Sequence, residues 1–227
     1  HILCLQDFFK INKIPYLMYN SLTNDVISDN KDVNQLSTEI DKNNFFNIIC
    51  NETDISSNVS RVTVDNVFSS TYDIYKIIFT GITNETAYDN GSFYFRLVDN
   101  SGNVIQDSEY DRAILYARGA SATYLELKNT ENSVMAAIYN DTSGNKAAVN
   151  GVIYVFQPYA SKYTYIQGQN SGRAKYSSPI PVMQRHVASH DVEEVIRGFD
   201  MIPRSQSGGF TGGKVVTYGL KAWYEFI

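Results

Sequence analysis

The sequence predicts an all-β protein: an antiparallel β-sandwich, jelly-roll-like, preceded by an extended N-terminal arm. Three observations lead there. Short runs that alternate apolar and polar residues recur from Arg61 onward at spacings of about ten residues, the pattern of sandwiches and barrels. Tyr occurs 17 times and Phe 12 times against a single Trp, with Val, Ile and Thr plentiful, a mixture that suits pleated, half-buried surfaces. Asn and Asp gather between the apolar runs, where short polar side chains satisfy turn backbone.

Taken in order, Ser21 to Lys42 is dense in Asn, Asp, Ser and Lys, with few large apolar residues to bury. Such a segment gains order only against a partner, so residues 1–58 are expected to form an arm or docking segment and residues 59–227 the sandwich. Phe45 to Cys50 is a candidate first strand. Arg61 to Phe68 alternates, Ser69 to Thr71 turns, and Tyr72 to Phe79 begins another apolar strand. Ser92 to Val98 alternates again before a turn at Asp99 to Asn103, where Gly102 can take positive φ. Further strands are expected at Arg112 to Ala117, Thr123 to Lys128, Ser133 to Tyr139, Gly151 to Phe156 and Tyr163 to Gln167. Asp191 to Arg197 permits a helical turn, yet its alternation favours a strand. Val195 to Pro203 and Lys214 to Phe226, joined by the Gly/Ser-rich Ser205 to Gly213, read as a long closing hairpin.

Bulk chemistry narrows the partners. A formal charge of −5 and a pI near 5.2 argue against nucleic acid, whose binding needs clustered Lys and Arg. No apolar run approaches the length of a membrane span, and His1 to Leu5 lacks the basic flank of a secretory signal. Cys4 and Cys50 have no metal-type spacing, so no disulfide framework or cofactor is expected. The Asn-x-Ser/Thr triplets at Asn51, Asn58, Asn84, Asn90 and Asn140 read as chance matches in an Asn-rich chain.

Candidate chemistry is sparse. His186 and His190 stand four apart, with Asp191, Glu193 and Glu194 following, but the Glu that a zinc-protease motif requires after the first His is Val187. On a strand the pair is expected to be structural or solvated, and no metal is expected. Asp107, Glu109 and Asp111 lack the spacing of a calcium loop and read as a solvated turn beside Arg112. Gly208 to Gly213 lacks the Lys-Ser/Thr of a phosphate loop and reads as a hairpin turn. Three histidines with no placed nucleophile make no triad, so no enzyme is expected. Between Tyr154 and Tyr176, the residues Tyr159, Tyr163, Tyr165, Gln167 and Arg173 form the best recognition surface. Tyrosine rings stack on sugar C–H groups while amides bond hydroxyls. The same alternation also suits a sandwich face or a subunit interface.

The stretch Asp65-Asn-Val-Phe-Ser-Ser-Thr-Tyr-Asp-Ile-Tyr-Lys-Ile77 resembles a recurrent module of tailed-phage virion proteins. Phe93 to Val98, Gly151 to Pro158, and Gly198 to Pro203 through Gly212 to Leu220 continue the likeness in the same order, over roughly residues 59–227. Structural proteins of marine cyanophages and pelagiphages are the most similar. The resemblance implies a non-enzymatic virion component, head decoration or tail fibre, that works as a homo-oligomer, with a trimer as first expectation. The N-terminal segment would dock it to other virion proteins. The alternative is a host-attachment module that binds surface glycans.

Overall fold

In the computed structural model the described residues are 48–56, 58–84, 93–119, 124–138, 148–174, 180–204 and 209–220. They form twelve strands: β1 Ile48–Ile55, β2 Val62–Val64, β3 Ile74–Asn84, β4 Phe93–Asp99, β5 Tyr110–Arg118, β6 Leu125–Asn132, β7 Ala136–Ile138, β8 Val149–Phe156, β9 Lys162–Ala174, β10 Ile180–Glu194, β11 Ile196–Pro203 and β12 Phe210–Leu220. Every pairing is antiparallel. Eight strands make one sheet in the order β1-β12-β3-β8-β9-β10-β5-β6, and four make the other in the order β2-β11-β4-β7. The all-β sandwich read from the alternation is therefore present, with unequal layers. The arm expected over residues 1–58 lies mostly outside the described residues. Ile48–Ile55, ahead of residue 59, is already an edge strand of the larger sheet, paired with β12.

The two layers meet through aromatic rings. Phe79 of the larger sheet meets Phe93 of the smaller edge-on at 5.5 Å, and Phe93 meets Phe210 of the larger at 5.8 Å. A second group runs from Tyr75 to Phe68 at 4.7 Å, from Phe68 to Phe199 at 6.1 Å, and from Phe199 to a stacked Phe95 at 5.3 Å. All seven are buried. Edge-to-face and offset rings add to the area they remove from water, because a positive ring edge meets a negative face.

Residues 65–77 form the turn and strand that enter this core. Tyr75 buries its ring, and its hydroxyl accepts from the Ser69 backbone N–H at 2.7 Å and donates to the Ser69 carbonyl at 3.0 Å. Tyr72 lies edge-on to Tyr75 and covers Gly219, where a Cβ would fall 2.3 Å from the Tyr72 ring. Gly219 is thus required by a close approach.

The closing hairpin is not formed. β11 belongs to the smaller sheet, between β2 and β4, and β12 to the larger, between β1 and β3. Both strands have their hydrogen-bonding edges filled by other partners, and Phe199 and Met201 face the core from one layer while Val215 faces it from the other. The two strands therefore lie in different layers, and residues 205–208 of the Gly/Ser-rich turn expected between them lie outside the described residues. Its last glycines lie inside β12, where Gly213 at φ 124° and its neighbour Gly81 at φ 65° mark an irregularity in the β12–β3 ladder. Asp191 to Arg197 is extended, ending β10 and opening β11, so no helical turn interrupts it.

Phe93, from the smaller sheet, touches two rings of the larger, Phe79 and Phe210. Replacing it by Ala is expected to destabilise the fold by about 3–5 kcal/mol, measured as a lower urea midpoint at unchanged m-value. A loss below about 1 kcal/mol would show that the layers are not held by this cluster.

Candidate functional site

The candidate site is the outer face of the larger sheet, where β8, β9, β10, β5 and β6 run side by side. Strand alternation puts every second residue there, and the registers align them into rows. One row reads Tyr154, Gln167, Val187, Ala113 and Lys128, and the next reads Val152, Gln169, Arg185, Leu115 and Glu126. Five strands at about 4.8 Å spacing make each row roughly 19 Å long. Together the rows line an open groove of about 890 Å³.

β9 supplies the richest chemistry. Tyr163, Tyr165, Gln167 and Gln169 point outward while Thr164, Ile166, Gly168 and Asn170 are buried. Tyr163 is 45 % exposed and Tyr165 50 %, so neither ring belongs to the sandwich core. The recognition residues expected from the sequence divide. Tyr163, Tyr165 and Gln167 share one face over about 14 Å of strand. Tyr159 lies in the turn before β9, near the Arg197–Asp65 ion pair, and Arg173 lies about 20 Å beyond Gln167 toward the other end of β9, opposite Pro181. These two do not join the others.

The groove also uses residues that linear reading passed over. Arg185, Leu115 and Lys128 come from β10, β5 and β6 and reach the groove only through pairing. β10 escaped notice because its amphipathicity is reversed. Gln184, His186 and His190 face inward and are buried, while Met183 and Val187 face solvent at 41 % and 56 % exposure.

The buried polar residues form a chain behind the groove. The His186 Nε2 lies 2.6 Å from Asn170 Oδ1, and the Asn170 amide donates to Gln184 Oε1 at 3.0 Å. Asn170 Oδ1 is an acceptor, so Nε2 carries the proton and Nδ1 is a bare acceptor with no partner. Removal from water, aided by the positive charge of Arg112, pulls the His186 pKa down to about 4. The imidazole is neutral at physiological pH. It stands opposite Gly168, where a Cβ would come 2.8 Å from the Val152 carbonyl oxygen.

The remaining candidates have structural settings. Asp111 accepts the Glu131 backbone N–H at 2.9 Å, and Glu131 itself takes positive φ where the β5–β6 register slips. Asp200 is fully buried under Arg61, with Arg61 Nε at 3.1 Å and the Thr63 hydroxyl donating at 2.8 Å. Its burial raises the carboxyl pKa, against the lowering pull of Thr63 and the two arginines Arg61 and Arg96. Cys50 is half-buried, and its burial pushes the thiol pKa up.

The pH dependence of His186 follows from its depressed pKa. As pH falls below 6.5 the unfolded chain takes up a proton that the folded chain refuses until about 4. Stability is therefore present above the unfolded value and is lost on acidification through that window. Wild-type protein is expected to lose about 2–3 kcal/mol more than His186→Gln between pH 7.5 and 4.5, read from urea unfolding at both pH values. Equal losses would show that His186 is not held neutral by the fold.

Compared with protein-family models, curated proteins and solved structures, the chain finds no match.

Proposed function

We propose that this chain is a non-enzymatic surface component of a phage particle whose larger sheet recognises host-surface glycans. The observation that carries the glycan reading is the outward row of Tyr163, Tyr165, Gln167 and Gln169 on β9, beside Arg185. Tyrosine rings offer flat apolar faces to the C–H faces of sugar rings, and the glutamine amides both donate to and accept from hydroxyls. An open groove crossing five strands suits an extended, polar polymer better than an enclosed small molecule. The virion reading is supported by the phage-like residues from Asp65 to Leu220, several of which make the Tyr75–Ser69 turn and the Tyr72–Gly219 contact.

Recognition by so open a surface is weak for one copy. Display in symmetric copies, a trimer by the same resemblance, turns weak sites into firm attachment through effective concentration. The segment before β1 would then dock the copies to neighbouring virion proteins.

Binding to an array of bacterial surface glycans tests the reading. Wild-type protein, presented multivalently, is expected to bind a defined set. Tyr165→Ala and Gln167→Ala, both at exposed positions, are expected to weaken that binding about tenfold each, near 1.4 kcal/mol. No binding by wild type, or undiminished binding by both variants, would remove the sheet face from the reading.

A further inference from the structure

Where β10 ends, three side chains converge that no part of the glycan reading uses. One ligand atom each from Glu109, His190 and Glu194 lies within 4.8 Å of the other two. His190 is fully buried, and its Nε2 sits 2.8 Å from Glu194 Oε1. In a regular strand, residues four apart are about 13 Å apart. Here the β10–β9 ladder slips: His190 faces Thr164 and Glu194 faces Lys162, so four steps along β10 match two along β9. The extra residues bulge and fold Glu194 back onto the imidazole.

The third carboxylate is placed by the neighbouring strand. His190 pairs with Tyr110 across β10 and β5, and Glu109 is the residue before Tyr110. The Asp191 N–H donates to the Glu109 carbonyl at 2.9 Å, tying that backbone to the bulge. The Tyr110 ring packs against the imidazole at 5.3 Å, and its own hydroxyl is held by Leu97 N–H and the Ile105 carbonyl. The imidazole is thus held against the Tyr110 ring, with Nε2 turned to the Glu194 carboxylate.

The charges are unbalanced. Among the described residues, neither Glu109 nor Glu194 has a Lys or Arg partner; Lys162, in register with Glu194, is exposed and makes no ion pair. Two carboxylates this close repel, and a dication would remove the repulsion. Ligand atoms around a tetrahedral zinc lie about 3.3 Å apart, between the 2.8 Å contact and the 4.8 Å limit found here. One imidazole nitrogen with two carboxylate oxygens favours a first-row transition cation over calcium, which prefers an all-oxygen shell. Glu194 is 32 % exposed, leaving room for water at further positions.

We propose that Glu109, His190 and Glu194 bind a divalent transition-metal cation, Zn²⁺ foremost, which clips the start of β5 to the bulge that ends β10. His186 stays outside this site, bonded to Asn170 farther along the strand. The site is a structural clip and supplies no reaction step.

The test uses the full chain stripped of metal with EDTA. Titration with ZnCl₂ in a calorimeter is expected to show one cation per chain and a raised melting temperature, and Co²⁺ is expected to give the d–d absorption of an imidazole-bound ion. Glu109→Gln and Glu194→Gln retain shape and remove charge. Each is expected to weaken Zn²⁺ at least about tenfold and to abolish the thermal shift, while melting within about 2 °C of metal-free wild type. Absence of Zn²⁺ and Co²⁺ binding by wild type, or equal affinity in the double variant, would overturn the proposal.

Discussion

Four strands cannot cover eight, and the arrangement of polar and apolar residues in this protein follows from that mismatch. At about 4.8 Å per strand, the larger sheet is roughly 19 Å wider than the smaller. The rings that join the layers come from β3 and β12 on one side and from β4 and β11 on the other, with Phe68 between. At the far edge, Leu125 and Leu127 occupy the inner-face positions of β6, opposite Tyr116 and Ile114, yet are 41 % and 44 % exposed. The apolar interior therefore fades along the larger sheet.

Where it fades, inward positions turn polar. Thr164, Asn170, Gln184, His186 and His190 are all buried on β9 and β10. Removing such groups from water costs a few kcal/mol each unless hydrogen bonds replace those to water. The His186–Asn170–Gln184 chain supplies them in one stretch, and the His190–Glu194 contact supplies one in another. With the polar side turned inward, the apolar side of β10 faces out, and Met183 and Val187 join Leu115, Tyr163 and Tyr165 on the exposed face.

This reversal decides what the sequence disclosed. β3, β4 and β8 read correctly because each buries its apolar face, and the Phe68 to Tyr75 segment read as a turn leading into core tyrosines because Ser69 and Tyr75 fulfil those roles. Tyr163, Tyr165 and Gln167 were legible as one outward face since they alternate within a single strand. Arg185, Leu115 and Lys128 were not, because cross-strand register is a long-range property with no local signal. The C-terminal pair was misread for the same reason: two alternating strands with glycines between them fit a hairpin locally, and only competition from β1, β2, β3 and β4 sends them to different layers. The meeting of Glu109 with His190 and Glu194 depends on both a register and a bulge, so neither His spacing nor acidic clustering revealed it.

A groove carried on strands differs physically from one carried on loops. Each of its residues is fixed by ladders on both flanks, except along β6 at the sheet edge, so little conformational entropy remains to be lost when a ligand is seated. Gly168 lets β9 lie close against β8, where a Cβ would meet the Val152 carbonyl oxygen, and Asn170 faces Gln184 directly across β9 and β10. The buried polar chain thus stiffens the strand pair that bears Tyr165, Gln167, Gln169 and Arg185 on its other side. A residue such as His186, though buried, acts on the outer surface by holding register: loss of its bond to Asn170 would loosen the pair whose spacing sets the distance between Gln169 and Arg185.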